Sequence, residues 1–192
     1  MKIETLWKDR FNHYLKETGK YLKYIFNGHL VFVMIFLIGG AGYYYGEWVK
    51  TLTPDFPAPI IMAIILGLAV TISPLTTFFR EPDIVFLLPI ERGLGDYVKK
   101  SYVFSLVIQM YVLLIIQAVL TPMYSRVMGD EALSFLSLLI VLLVLKGINL
   151  ASRWFVLYDR EPYAPFVDTI VRFALNAVLV YLIVKGANLL LT

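Results

Sequence analysis

The sequence predicts an all-α polytopic membrane protein, with five transmembrane helices preceded by an amphipathic interfacial helix. Three observations carry this reading. Hydrophobic residues make up 59% of the 192 and charged residues only 16%, against about 45–50% and about 25% in a soluble domain. The apolar residues are gathered into uncharged runs. Lys and Arg alternate between sparse and dense from one connection to the next. A soluble enzyme, a secreted disulfide scaffold and a disordered chain are thereby excluded. With no Cys there is no disulfide framework, Cys metal site or thiol nucleophile. The net charge of +3 and isoelectric point near 9.0 fit basic connections at a membrane rather than a nucleic-acid partner.

A helix rises about 1.5 Å per residue, so crossing about 30 Å of hydrocarbon takes about 20 mostly apolar residues. The uncharged runs Tyr24–Gly46, Phe56–Phe79 and Ser101–Ser125 each suffice. A fourth run follows Glu131, with Lys146 and Arg153 inside it, and a fifth holds Arg172 and Lys185 near its ends. The expected spans are about 29–47, 57–79, 101–122, 132–155 and 169–191, in one transmembrane domain over 1–192. In lipid the backbone must satisfy its own hydrogen bonds, which demands helices. The short alternating strands of a β-barrel are not seen.

The basic residues set the orientation. Lys2, Lys8, Arg10, Lys16, Lys20 and Lys23 precede the first span, and only Lys50 follows it. Arg80, Arg92, Lys99 and Lys100 flank the next connection, Arg126 the one after, and Arg153, Arg160 and Arg172 the last. This places the N-terminus in the cytoplasm and the chain's C-terminus outside a cell membrane. Tyr43, Tyr44, Tyr45 and Trp48 form an aromatic belt at the expected exit of the first span. The chain stops at Thr192 directly after an apolar run, which reads as one portion of a longer protein.

Two segments are not spans. In residues 3–26, Ile3, Leu6, Trp7, Phe11, Tyr14, Leu15, Tyr21, Leu22 and Ile25 recur at helical spacing with basic residues between them. This is an amphipathic helix expected in the cytoplasmic headgroup region, aromatic face toward lipid. Residues 80–100 are longer than a simple helix connection. Their apolar centre, Ile84, Phe86, Leu87, Leu88 and Ile90, lies between charged blocks, with Pro82 placed to start a short helix and Pro89 to end it. An apolar patch bounded by charge has the character of a docking surface.

The stretch Glu81-Pro82-Asp83-Ile84-Val85-Phe86-Leu87-Leu88-Pro89 resembles the corresponding loop of Ecs-type ABC transporter permeases, the EcsB family. So do Tyr21-Leu22-Lys23-Tyr24-Ile25-Phe26-Asn27-Gly28-His29 and Ser73-Pro74. The resemblance runs over the whole chain, and permeases of this kind are longer. It implies a coupling loop that docks on a cytoplasmic ABC ATPase subunit, with Glu81, Pro82, Asp83, Leu87, Leu88, Pro89 and Glu91 as its contact residues. ATP and Mg are then expected on the partner subunit. A homo-oligomer of permease subunits is a further candidate partner, beside the lipid bilayer.

Other chemistry is weakly supported. No P-loop is present, since Gly19-Lys20 is followed by Tyr21. His13 and His29 share no metal-ligand spacing. Gly93-Leu94-Gly95-Asp96 and Tyr158-Asp159 match the two motifs of intramembrane aspartyl proteases, but in reversed order and with Asp96 beside Lys99 and Lys100 in a charged loop. Arg80-Glu81-Pro82 recurs as Arg160-Glu161-Pro162, a match short enough for chance. Gln109, Gln117, Lys146, Asn149, Arg172 and Asn176 are polar groups within spans. Such groups are costly in lipid and are candidates for an intramembrane polar lining. Interhelical hydrogen bonds, with Lys146 or Arg172 reaching the headgroups, are the favoured reading. The glycines at 39, 40, 42 and 46, with a Gly-x-x-x-Gly from 42 to 46, would allow a close helix contact on the first span.

The reading with most support is an ABC transporter permease subunit, not itself an enzyme, coupling a partner's ATP hydrolysis to export or peptide handling. The alternatives are an aspartyl-protease-like membrane enzyme and a non-transporting membrane scaffold.

Overall fold

The computed structural model describes residues 3–80, 82–87, 93–156 and 163–186. Every regular element among them is helical. The chain divides into two compact units, one of Met1–Trp48 with Thr76–Val103, the other of Val49–Leu75 with Phe104–Thr192.

The first unit opens with helix α1, Ile3–Ile25. Asn27 interrupts the chain and caps the next helix, its Oδ1 accepting from the Leu30 amide at 2.9 Å, which satisfies one of the orphan donors of a helix start. Helix α2 then runs Gly28–Lys50. After residues 76–80 comes a single helical turn, α4, over Asp83–Phe86, with Pro82 at its N-cap. Helix α5, Gly95–Met128, starts in this unit. Leu6, Leu87 and Tyr97 are buried together with Trp7 and Leu94 packed on them, a small apolar core.

The second unit is a helix bundle. Helix α3, Ala58–Thr71, packs along helix α7, Ala164–Lys185, and against helix α6, Phe135–Val156. Its core takes Met62, Leu66 and Val70 from α3, Leu142 and Leu150 from α6, and Val180 and Val184 from α7, all nearly inaccessible. A Cβ placed on Gly67 would lie 2.9 Å from the Ala177 Cα, so the α3–α7 crossing depends on glycine there. Tyr124 joins the end of α5 to two other segments. Its hydroxyl donates to the Val184 carbonyl at 3.0 Å and accepts from the Leu133 amide at 3.1 Å.

Helices α2, α5, α6 and α7 are long and apolar enough to cross a membrane. The chain is therefore a multi-pass membrane protein. The expected second span, 57–79, is not one continuous helix. The helix stops at Thr71 after 14 residues, about 21 Å of axial length, and residues 72–80 are non-helical. Pro74 is the physical reason. It disfavours helical backbone at Ser73 and has no N–H to return to the helix. The Thr71 and Ser73 hydroxyls instead donate back to the Gly67 and Val70 carbonyls, at 2.7 and 2.9 Å.

Two further expectations are corrected. The connection 80–100 is shorter than expected, because α5 begins at Gly95; its 34 residues extend about 51 Å, more than one bilayer core. The glycines at 39, 40, 42 and 46 have open space where a Cβ would stand, and the close backbone approach falls at Gly67 instead.

Candidate coupling site

The segment that leads into α4 is held by α1. Arg10 donates through both terminal nitrogens to the Asp83 carboxylate, each at 2.5 Å, and also to the Phe78 carbonyl at 3.1 Å. A planar guanidinium matches a carboxylate in this two-pronged way and a lysine does not. Asp83 also accepts from the Arg80 amide at 2.6 Å. Those bonds, from Arg10 above all, hold the Asp83 carboxyl below its ordinary value and the Arg10 guanidinium above its own, against the opposing effect of burial. Their side chains are 12% and 15% exposed, so water screens the pair only in part.

Phe78 has φ +57°, a left-handed backbone that a bulky residue adopts only under constraint. The constraint is visible. Its ring meets those of Trp7, Phe11 and Tyr14 at centroid distances of 6.2, 6.3 and 5.2 Å. The aromatic residues of α1, expected to face lipid, thus pack in their first half on Phe78. Phe79 points elsewhere, stacking on Tyr97 of α5 at 4.9 Å. Trp7 Nε1 donates to Ser101 Oγ at 3.1 Å, binding α1 to α5 as well.

The loop residues expected to contact a partner divide by position. Pro82 is exposed. Asp83 is engaged by Arg10. Leu87, expected as a contact residue, is instead 8% exposed and packed into the core with Leu6 and Tyr97. Burying Leu87 turns its neighbour outward, and Phe86 is 76% exposed. Glu81, Leu88, Pro89 and Glu91 lie outside the described residues. Sequence reasoning missed Arg10 and Phe78 as parts of this site. Their partners lie 73 and 68 positions away along the chain, and no local pattern signals such a pairing.

The polar residues of the spans form a network in the second unit. Lys146 is 2% exposed and does not reach outward. Its ammonium donates to the carbonyls of Ala69, Val70 and Ile72, at 2.6, 3.3 and 2.6 Å. These lie at the C-terminal end of α3, where carbonyls lack helix partners and the helix dipole favours a cation. Gln109 donates to the Pro74 carbonyl at 2.6 Å, a second carbonyl of the non-helical stretch. Asn149 and Asn176 bond each other reciprocally at 3.1 and 2.9 Å, and Asn176 also donates to Thr71 Oγ1 at 2.8 Å. Arg172 pairs with Asp168, at 2.6 Å, and donates to the Asn149 carbonyl. Arg153 donates to Thr169 Oγ1. Gln117 donates to the Phe135 carbonyl at 2.8 Å. Lys146, Gln109 and Asn176 thus engage the broken span and its flanks, while the Oε1 atoms of Gln109 and Gln117 are buried without a hydrogen-bond partner among the described residues.

Asp96, half of the protease-like motif pair, stands in the first turn of α5 with its side chain 74% exposed and 3.8 Å from Lys99. Asp159 lies outside the described residues. Among the described residues, this exposed carboxylate beside a lysine has no buried like-charged neighbour of the kind that shared-proton chemistry requires.

Comparison with known proteins agrees with the resemblance in the loop. Residues 4–192 match the family model described as bacterial ABC transporter protein EcsB. The chain is 34% identical over 182 residues to Protein EcsB of Bacillus subtilis (strain 168). That alignment covers 94% of this chain and 45% of the relative, so the chain spans less than half of the curated protein it matches. No solved structure matches. With the match running over nearly its whole length, this chain belongs to the EcsB family of bacterial ABC transporter proteins.

Proposed function

We propose that this chain is part of the membrane-spanning permease subunit of an ABC transporter. Residues 81–91 receive the movement of a cytoplasmic ATPase subunit, which binds ATP and Mg. The N-terminus is cytoplasmic, and the spans switch between inward-open and outward-open states for export or peptide handling. The chain crosses the bilayer five times, the second crossing being α3 continued by the non-helical residues 72–80. Irregular backbone at membrane depth is tolerated only where protein or water satisfies it, and Lys146 and Gln109 supply donors there. Asn149, Arg172 and Asn176 hold α6 and α7 together beside this break, and Gln117 ties α5 to the start of α6.

The observation that carries the coupling assignment is Phe86. A large apolar side chain 76% exposed sits on a turn whose two neighbours are anchored, Asp83 by Arg10 and Leu87 in the apolar core. An anchored turn with an outward aromatic is suited to fill a pocket on a partner. The test uses the full-length permease co-purified with its ATPase. Phe86→Glu should abolish the complex and coupled ATP turnover, while the permease still inserts and purifies as a single species. An intact complex with unchanged coupled turnover would remove Phe86 and its turn from the interface.

A further inference from the structure

The coupling reading makes residues 78–87 important, and the structure shows an unusual way of holding them. Phe78 stands in left-handed backbone. A phenylalanine keeps that conformation only when its surroundings over-determine it. Among its restraints, α1 supplies the rings of Trp7, Phe11 and Tyr14 around the side chain and Arg10 on the carbonyl. The same guanidinium grips Asp83, at the start of the turn that presents Phe86. One residue of α1 thus spans the strained corner and the presented turn. Loss of that grip removes the bond on the Phe78 carbonyl and the anchor of the turn together, leaving the strained corner to the aromatic contacts.

We propose that Arg10 is a positioning residue for the coupling segment: its bonds to Phe78 and Asp83 lock residues 78–87 to α1, so that α1 and the segment move as one body when the ATPase moves. This rests on the coupling reading above. It makes α1 a mechanical part of the coupling device rather than a membrane anchor alone. On the opposite side of the helix Lys16, Lys20 and Lys23 recur at helical spacing and are exposed, basic groups that anionic headgroups attract.

The test compares wild type, Arg10→Gln, Arg10→Lys, Asp83→Arg and the exchanged pair Arg10→Asp with Asp83→Arg, in the full-length permease with its ATPase. Two quantities are read, amide hydrogen exchange of peptides covering 78–87 and ATP turnover coupled to the permease. Arg10→Gln should speed exchange in 78–87 about tenfold and lower coupled turnover about tenfold, as loss of a charge-assisted bidentate pair implies. Peptides from α6 and α7 should keep their protection, which shows that the fold is intact. Arg10→Lys should fall between, since an ammonium is a point charge without the planar fork. The exchanged pair should recover part of what Asp83→Arg alone loses, because it restores the ion pair but not the donor to the Phe78 carbonyl. Unchanged exchange in Arg10→Gln would overturn the lock itself. Faster exchange with undiminished coupled turnover would overturn the positioning role while leaving the coupling reading in place. If wild type shows no coupled turnover, the coupling reading fails first and this inference with it.

Discussion

The ammonium of Lys146 stands 2.6 Å from the carbonyl oxygen of Ile72, one residue past the end of α3. This contact joins the middle of one long apolar helix to the point where another helix breaks. The charge is nearly inaccessible, and a buried charge persists only where it is hydrogen-bonded and compensated. The exposed carbonyls of the break supply that compensation, and the ammonium in turn relieves carbonyls that would otherwise face apolar surroundings.

Replacing Lys146 with Met should therefore destabilise the bundle. The Ala69 and Ile72 carbonyls would lose their side-chain donor, at about 1–3 kcal/mol for a buried group left unsatisfied. The expected outcome is a clear fall in the denaturation midpoint of the purified protein in mild detergent. A midpoint equal to that of wild type would show that the break does not depend on the lysine.

Gly67 and Gly42 predict opposite outcomes for the same substitution. Gly67→Ala sets a methyl 2.9 Å from the Ala177 Cα, with backbone atoms on the other side. Forcing α3 and α7 apart should cost about 1–3 kcal/mol. Gly42→Ala meets nothing within 4 Å and replaces the poorer helix former, so stability should hold or rise by up to about 1 kcal/mol. The two midpoints, measured side by side, check this.

Asn149 and Asn176 should show a measurable coupling energy. Each supplies both donor and acceptor to the other. A double-mutant cycle with Leu at both positions should give a coupling of about 0.6–1.7 kcal/mol, the range found for hydrogen bonds between membrane helices. Additive losses would mean that the amide pair contributes nothing specific.

The Arg10–Asp83 pair predicts a definite pH window. The Asp83 carboxyl lies below its ordinary value of 3.8, chiefly through its bonds from Arg10. A lowered folded value means that the unfolded segment binds the proton first. The stabilisation is thus complete above about pH 5 and is lost as pH falls through 3.8 and below. Arg10 is raised from an already high value and stays charged throughout. Exchange protection of the 83–87 amides, after correction for the intrinsic pH dependence of exchange, should be flat from pH 8 to pH 5 and fall below about pH 4. Asp83→Asn should abolish that acid step.

Much of the architecture was legible in the residues. Helices α2, α5, α6 and α7 lie on four of the five apolar runs, because a bilayer rewards about twenty apolar residues in sequence whatever they pack against. Pro82 at the start of α4 was equally readable, since proline fits a first turn and little else in a helix. The break after Thr71 was signalled only by Pro74, and an uncharged run through a proline still looks like a span when composition alone is counted. Leu87 and Phe86 are adjacent apolar residues in one amphipathic stretch. Which of them turns inward depended on Tyr97 of the next helix and on Leu6, 81 positions away along the chain.

By itself, the sequence determined that this is a helical membrane protein of the EcsB kind, because hydrophobic length, charge placement and a local loop motif are properties of contiguous residues. Tertiary structure alone decided that Lys146 caps a broken helix, that Gly67 and not the glycines of α2 marks the close crossing, and that Arg10 locks Phe78 and Asp83. Each of these joins groups 68 to 110 positions apart. Such a pairing is set by which buried carbonyl, carboxylate or backbone remains unsatisfied or unfilled once the helices have packed, and that demand exists only in the folded chain.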